Sequence, residues 1–258
     1  MWSTLAVAIP LIGCLASTTA TTTTAAYLDP AIDGGSMMTV MEQTWPPGLA
    51  EPLNLIVLGT SSPRVLVPQQ TNGGLFGYLE ALGYGPECGG FHMGDKQAAN
   101  LGDNQGNQEQ MAILRWMYFG DPFFGTCIES IYGGSHVRVF RQSISGAFFI
   151  SASTEENAAQ NHQLGMNATI LILTRLSRDY VAGNATGQRI VASEMNNTST
   201  WSGTKSKRGW NYTTTVSYVK GLINTNRLLW NHYAAVQMID QDITDGWTAL
   251  LQVEVEKI

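Results

Sequence analysis

The sequence predicts a single-domain α+β protein: a mixed or antiparallel sheet with two or three packed helices. Three observations carry this. Runs with period-two alternation occur at 136–142, 146–153 and 251–256. Other stretches place apolar residues at helical spacing and stop at glycines. No internal repeat and no linker divides the chain.

Taken in order, "EPLNLIVLG" (51–59) is a short apolar run that predicts a buried strand, and "SSPRVLVPQQTNGG" (61–74) a loop. Leu75, Tyr78, Leu79 and Leu82 form a helical stripe ended by Gly83. The Gly-, Asn- and Asp-rich segment 86–107 predicts a long loop. "QEQMAILRWMYFGDP" (108–122) predicts an amphipathic helix ending near Gly120, and "GTCIESIYGG" (125–134) a short helix carrying Cys127. Ile172, Leu176 and Tyr180 mark a third helix, ending at Gly183. Residues 184–215 are polar and predict a surface excursion; "YTTTVSYVKG" (212–221) predicts a strand. In the last strand Leu251, Val253 and Val255 alternate with Gln252, Glu254 and Glu256.

The hairpin is the most specific local prediction. In "HVRVFRQ" Val137 and Val139 share one face, while His136, Arg138 and Phe140 share the other. In "GAFFISAS" Phe148, Ile150 and Ala152 oppose Phe149, Ser151 and Ser153. Matching apolar to apolar sets Phe140 opposite Phe149, Arg138 opposite Ser151 and His136 opposite Ser153. One face is a hydrophobic seat. The other is a polar strip, near whose end Glu155 and Glu156 approach.

Composition sets the compartment. The chain is 44% hydrophobic and 13% charged, which suits a packed core. Its net charge of −6 argues against nucleic-acid binding. The charge is uneven: residues 136–227 hold 10 basic and 4 acidic groups, so an anionic partner is best received there. Residues 1–20 resemble a secretory signal peptide with an apolar run from Leu5 to Ala16. A Thr-rich flexible leader (21–50) follows, then one domain (51–258) with no membrane span. Asn167, Asn184, Asn196, Asn197 and Asn211 head Asn-x-Ser/Thr acceptors, as expected of a secreted glycoprotein. Once Cys14 leaves with the signal, Cys88 and Cys127 remain, an even count that fits one disulfide; two buried free thiols are the alternative. Closing that loop would stabilise by about 3–4 kcal/mol.

The chain resembles a group of secreted fungal proteins of unknown function and, more remotely, the LssY C-terminal-type domain of bacteria. The stretches that carry this are "EPLNLIVLGTSSP", "LFGYLEALGY", "ECGGFHMGDKQAANLGDNQGNQEQ", "FGDPFFGTCIES", "GGSHVRVFRQ", "GAFFISASTEE", "NHQLG" and "SRDYV". The bacterial pattern of a His-x-Arg strand, a small-residue strand, a further His and an Arg-Asp pair maps onto His136 and Arg138, Ser151 and Ser153, His162, and Arg178 and Asp179. An acidic residue expected near Arg178 is here Ser177 or Leu176. The resemblance implies no particular activity.

Two functional classes follow. The first is an extracellular binding or interaction protein that uses the polar face of the hairpin to hold a small anion or a glycan. Arg138 and Arg178 would hold the anion, with Ser151, Ser153, Glu155 and Asp179 around it. Trp201, Trp210, Trp230 and Trp247 would offer stacking area to a glycan if they lined the surface. The alternative is a hydrolase of a small anionic or ester substrate, with His136 and His162 moving protons. No Gly-x-Ser-x-Gly elbow is present. Neither "GDNQGNQEQ" nor "DQDITDG" has the rhythm of a calcium loop, and neither a metal nor a cofactor is expected. Lys207–Arg208 has the dibasic form that secretory processing proteases cut.

Overall fold

The computed structural model describes residues 25–41, 51–90, 96–155, 157, 170–225 and 244–258, the side chains of 170–175 excepted. The signal-like segment, Glu156, His162, Asn167 and Trp230 lie outside the described residues. The chain is α+β, as expected. Among the described residues ten strands run in sequence: β1 (Leu55–Val57), β2 (Tyr84–Pro86), β3 (Ala98–Asn100), β4 (Asn107–Glu109), β5 (Ala112–Trp116), β6 (Gly134–Arg141), β7 (Phe148–Glu155), β8 (Thr200–Lys207), β9 (Trp210–Lys220) and β10 (Trp247–Lys257). Among the same residues three α-helices join them: α1 (Leu75–Ala81), α2 (Phe124–Tyr132) and α3 (Ile170–Thr186). Among the described residues, no helix is long and apolar enough to cross a membrane.

Eight strands form one mixed sheet in the order β2-β5-β6-β7-β1-β10-β9-β8, while β3 and β4 form a second, two-stranded sheet. Every pair in the large sheet is antiparallel except β1 with β10. Leu55, Ile56 and Val57 of β1 are buried on both faces, which is why that strand reads as an unbroken apolar run. The β6–β7 register is the one the alternation predicts, with Phe140 opposite Phe149, Arg138 opposite Ser151 and His136 opposite Ser153. Beyond the three residues of β1, Asn54 continues its pairing with β7 by side chain, its amide meeting both the N–H and the C=O of Ala152 (3.0 and 2.9 Å).

The sheet is covered on both faces. On one, Val137, Val139, Phe148, Ile150 and Ala152 pack with Leu75, Tyr78 and Leu79 of α1 and with Val181, Ala182 and Ala185 of α3. On the other, Ile56, Phe140 and Phe149 pack with Met37, Leu53, Ala99 and Leu101. Full burial of such side chains stabilises by about 1.5–3 kcal/mol each. Residues 25–41 help to cover this second face through Met37 and through bridges from Met38 to Pro52 and from Val40 to Ala98.

The structure corrects three local expectations. Residues 108–122 do not form a helix; Ala112–Trp116 is strand β5. Ile113 and Leu114 are buried on opposite faces of the sheet, and Arg115 is buried in ion pairs, so the apparent helical pattern is a strand with two covered sides. Residues 184–215 are largely ordered pairing rather than an excursion, because β8 is an edge strand and its Thr and Ser side chains fill the solvent face opposite Trp201. The third helix continues past Gly183 to Thr186. There Gly203 lets the helix end rest on β8, since a Cβ at that position would collide with the Thr186 carbonyl.

Candidate functional site: a cleft behind a buried polar strip

The polar strip forms, but it faces inward. His136, Arg138, Ser151 and Ser153 are buried beneath Glu51, which enters from the segment before β1. Glu51 accepts from Arg138 Nε (3.2 Å), Ser151 Oγ (2.9 Å), Ser153 Oγ (3.3 Å) and Gln97 Nε2 (2.6 Å). The second guanidinium arm of Arg138 donates to Gln110 Oε1 at 2.8 Å. At the far end, Arg115 Nη1 meets Glu129 (2.9 Å) and Glu155 (3.3 Å), and its Nε lies 3.5 Å from Glu87. Burial pushes the Glu51 carboxyl up, but Arg138 and the His136 and Ser151 contacts overcome it and hold the group well below the usual range. Burial pushes the His136 imidazole down, yet Glu155 and Glu51 leave it raised overall. For Glu129 burial wins over Arg115, and its carboxyl is raised.

Among the described residues His136 is not set up as a relay, and its expected partner His162 lies outside them. Ser153 Oγ lies 3.0 Å from His136 Nε2, while Glu155 and Glu51 approach that same nitrogen at 3.5 and 3.7 Å. Nδ1, the atom an orienting carboxylate would hold, is buried without a hydrogen-bond partner among the described residues. Ser153 and His136 have no exposed surface, so a substrate has no way to touch them.

Arg178 is engaged elsewhere. Its guanidinium grips both oxygens of Asp245 (2.7 and 3.1 Å), donates to the Trp247 carbonyl (2.8 Å) and to Asp179 (2.8 Å), and lies over the Tyr218 ring. It is almost fully buried and ties α3 to the start of β10. Two of the expected anion ligands, Arg138 and Arg178, are thus occupied by carboxylates of the chain itself. Asp179 is shared between Arg178 and the Tyr218 hydroxyl, and Glu155 is drawn to Arg115 and His136.

The opening lies on the reverse face of the same sheet corner. A cleft of about 670 Å³ runs between α3, the β5–β6–β7 corner and the start of the β8 edge. Trp116 and Tyr180 build its apolar wall, their rings edge to face at 4.9 Å. Its floor is a directed hydroxyl chain. Ser177 Oγ donates to the Ser153 carbonyl (3.0 Å) and so accepts from Ser135 Oγ (2.5 Å), which in turn accepts from Tyr84 OH (2.8 Å). Arg189 and Lys205 stand at the rim, and neither has a carboxylate partner among the described residues. Among the described residues no group of His, Cys, Asp or Glu could hold a metal ion.

Among the described residues, of those expected to form a catalytic or ligand-binding site only Asp179 lines this cleft. Trp116, Ser135, Ser177, Tyr180 and Arg189 were not legible as a set, because they come from β5, β6, α3 and the loop after α3. The one sequence signal was the basic excess of residues 136–227, which contains Arg189 and Lys205.

The remaining expectations find these places. Cys88 and Cys127 form a disulfide. Trp201 is buried against Tyr218, Trp210 lies under Arg64, and Trp247 is half-buried beside Lys220, so they make no surface row. Asn196 and Asn197 are exposed, and Asn196 Oδ1 accepts from the Thr198 hydroxyl at 2.6 Å. Asn211 is half-buried in β9. Asn184 sits within α3 on the cleft wall, and its amide donates to the Leu82 carbonyl at 3.1 Å. Lys207 and Arg208 close the β8–β9 turn with both side chains on Glu80 (3.2 and 2.8 Å).

No protein-family model matches the chain, and no match is found among curated proteins or solved structures. The likeness to the secreted fungal group and to the LssY C-terminal-type domain stays an expectation of the sequence.

Proposed function

We propose that this is an extracellular binding protein whose cleft takes a small ligand with an anionic head and an apolar body. The observation that carries the reading is the pairing of two cations that have no carboxylate partner among the described residues, Arg189 and Lys205, with the Trp116–Tyr180 wall. An anionic head at the rim gains charge-assisted hydrogen bonds, and the wall removes the body from water. The Cys88–Cys127 bond and the exposed sequon at Asn196 agree with an oxidising, secretory setting. A hydrolytic reading draws no support from the strip, where the candidate base and hydroxyl are closed to solvent.

The test is calorimetric titration of the purified chain with an aromatic carboxylate, a medium-chain fatty acid, inorganic phosphate and a neutral oligosaccharide. Arg189→Gln and Lys205→Gln are titrated beside it. Binding of an amphiphilic anion, weakened about tenfold or more by either substitution, supports the reading. Binding of the neutral sugar alone, or equal anion binding by both variants, overturns it.

A further inference from the structure

Helix α2 is built inside out. Its inward side carries Gly125, Thr126, Glu129 and Ser130, while Phe124, Ile131 and Tyr132 point to solvent. Phe119 and Phe123, in the turn before it, extend the same display, and these five side chains keep 56–91% of their surface exposed. The Phe123 and Phe124 rings stack edge to face at 5.1 Å without being covered. Phe119, the most exposed, has a φ of 59°, a left-handed conformation that a residue with a Cβ adopts at a cost, and its own packing does not repay that cost. The Cys88–Cys127 bond ties the helix to the turn at 88–90. Scattered exposed apolar residues are ordinary; five within fourteen positions, on a helix that hides its polar side, are not.

We infer that this face seats the protein on a neutral, zwitterionic lipid surface. The chemistry favours lipid over other occupants. Phenylalanine has no polar group with which to fix a sugar hydroxyl. The side chains protrude, as suits a fluid phase that closes around each of them. From Met117 to Gly134 the chain has no Lys or Arg. Of its two acids, Glu129 is buried against Arg115, while Asp121, at the surface, caps the start of α2 by accepting from the N–H groups of Phe123 and Phe124 (2.8 and 2.7 Å), where it would repel an anionic headgroup. Nothing in this face therefore calls for an anionic headgroup. The face is also continuous with the cleft, because Tyr118 lines the cleft while its ring lies 6.4 Å from that of Phe119. In this respect the inference rests on the proposed cleft function: an amphiphile taken up there would enter from the surface on which the protein sits.

The experiment is flotation of the full secreted chain with vesicles of pure phosphatidylcholine and of phosphatidylcholine mixed with phosphatidylserine. Phe119→Gly, Phe123→Ser/Phe124→Ser and Lys205→Gln are run alongside. The wild type is expected to float with both vesicle types equally. The paired serine variant should lose about tenfold or more in partition, while circular dichroism shows it folded, as its altered side chains are exposed. Phe119→Gly suits the left-handed backbone and should lose binding without losing melting temperature. Lys205→Gln should float like the wild type even where it fails to bind an anion, so failure of the cleft and failure of the face are told apart. A wild type that stays with the unbound protein, variants that float as it does, or a dimer in sedimentation that the serine variant dissolves would each overturn the inference, the last by making a second copy the occupant.

Discussion

Arg115 Nη1 lies 2.9 Å from Glu129 Oε2, and this buried contact fastens α2 to β5 while α2 turns its aromatic side outward. The pair does the anchoring that an apolar helix face normally does. Removing the cation leaves Glu129 and Glu155 buried without it, so Arg115→Met should destabilise by about 3–5 kcal/mol. Glu129→Gln should cost much less, about 1 kcal/mol, since the amide oxygen can still accept from Arg115 and Arg115 keeps Glu155. Urea denaturation of the two variants checks the order; equal losses would show that the contact is not the anchor.

Stability should peak on the acid side of neutrality. Glu51 is lowered in the fold, so its contribution is present above its ordinary value of 4.5 and is lost as the pH falls through its folded value. His136 is raised, so its contribution is full below 6.5 and is lost as the pH rises through its folded value. Both are therefore present together between about 4.5 and 6.5. Glu129, raised from 4.5, begins to lose its contribution once the pH passes 4.5 and so draws the maximum toward the acid end of this window. Urea midpoints across this range should show the maximum, and His136→Gln should flatten the alkaline limb. A wild type most stable above pH 8 would contradict this.

The Lys207–Arg208 bond should resist processing in the folded protein. Proteases take extended segments, whereas Arg208 sits at φ 52° in a tight turn with its guanidinium on both oxygens of Glu80. After incubation with a dibasic-specific protease, one band of unchanged mass is expected, becoming two once urea opens the hairpin. Two bands from native protein would refute it.

Glycopeptide mapping should find Asn184 bare and the 196–198 sequon occupied. Asn184 is held in a helix with its amide committed to Leu82, and the Thr186 hydroxyl donates to the Ala182 carbonyl. A glycan on Asn184 would fill the cleft. Asn196 is exposed, with the Thr198 hydroxyl already turned to its side-chain oxygen. An occupied Asn184 would remove the cleft as a site.

The hairpin was legible because alternation fixes both a strand and its register: Val137, Val139, Phe148 and Ile150 leave one parity. What covers a face is not written in its own strand. His136 and Arg138 looked free because Glu51, their cover, lies more than eighty residues earlier in the chain. Period alone also misleads where both sides of a strand are buried, as at Ile113 and Leu114. The short helix expected at 125–134 is α2, but expecting a helix does not say which side is inside, and here the polar side is.

The parallel pairing of Leu55 with Ala249 has a consequence for biogenesis. Of the eight strands, β10 is synthesised after the other seven, yet it lies between β1 and β9. While the ribosome is still translating, β7 and β6 can join β1, and β8 can join β9, but the two halves have no common edge. Each presents an open row of amides until the last strand slots in, which is when a chaperone that shields strand edges would be needed.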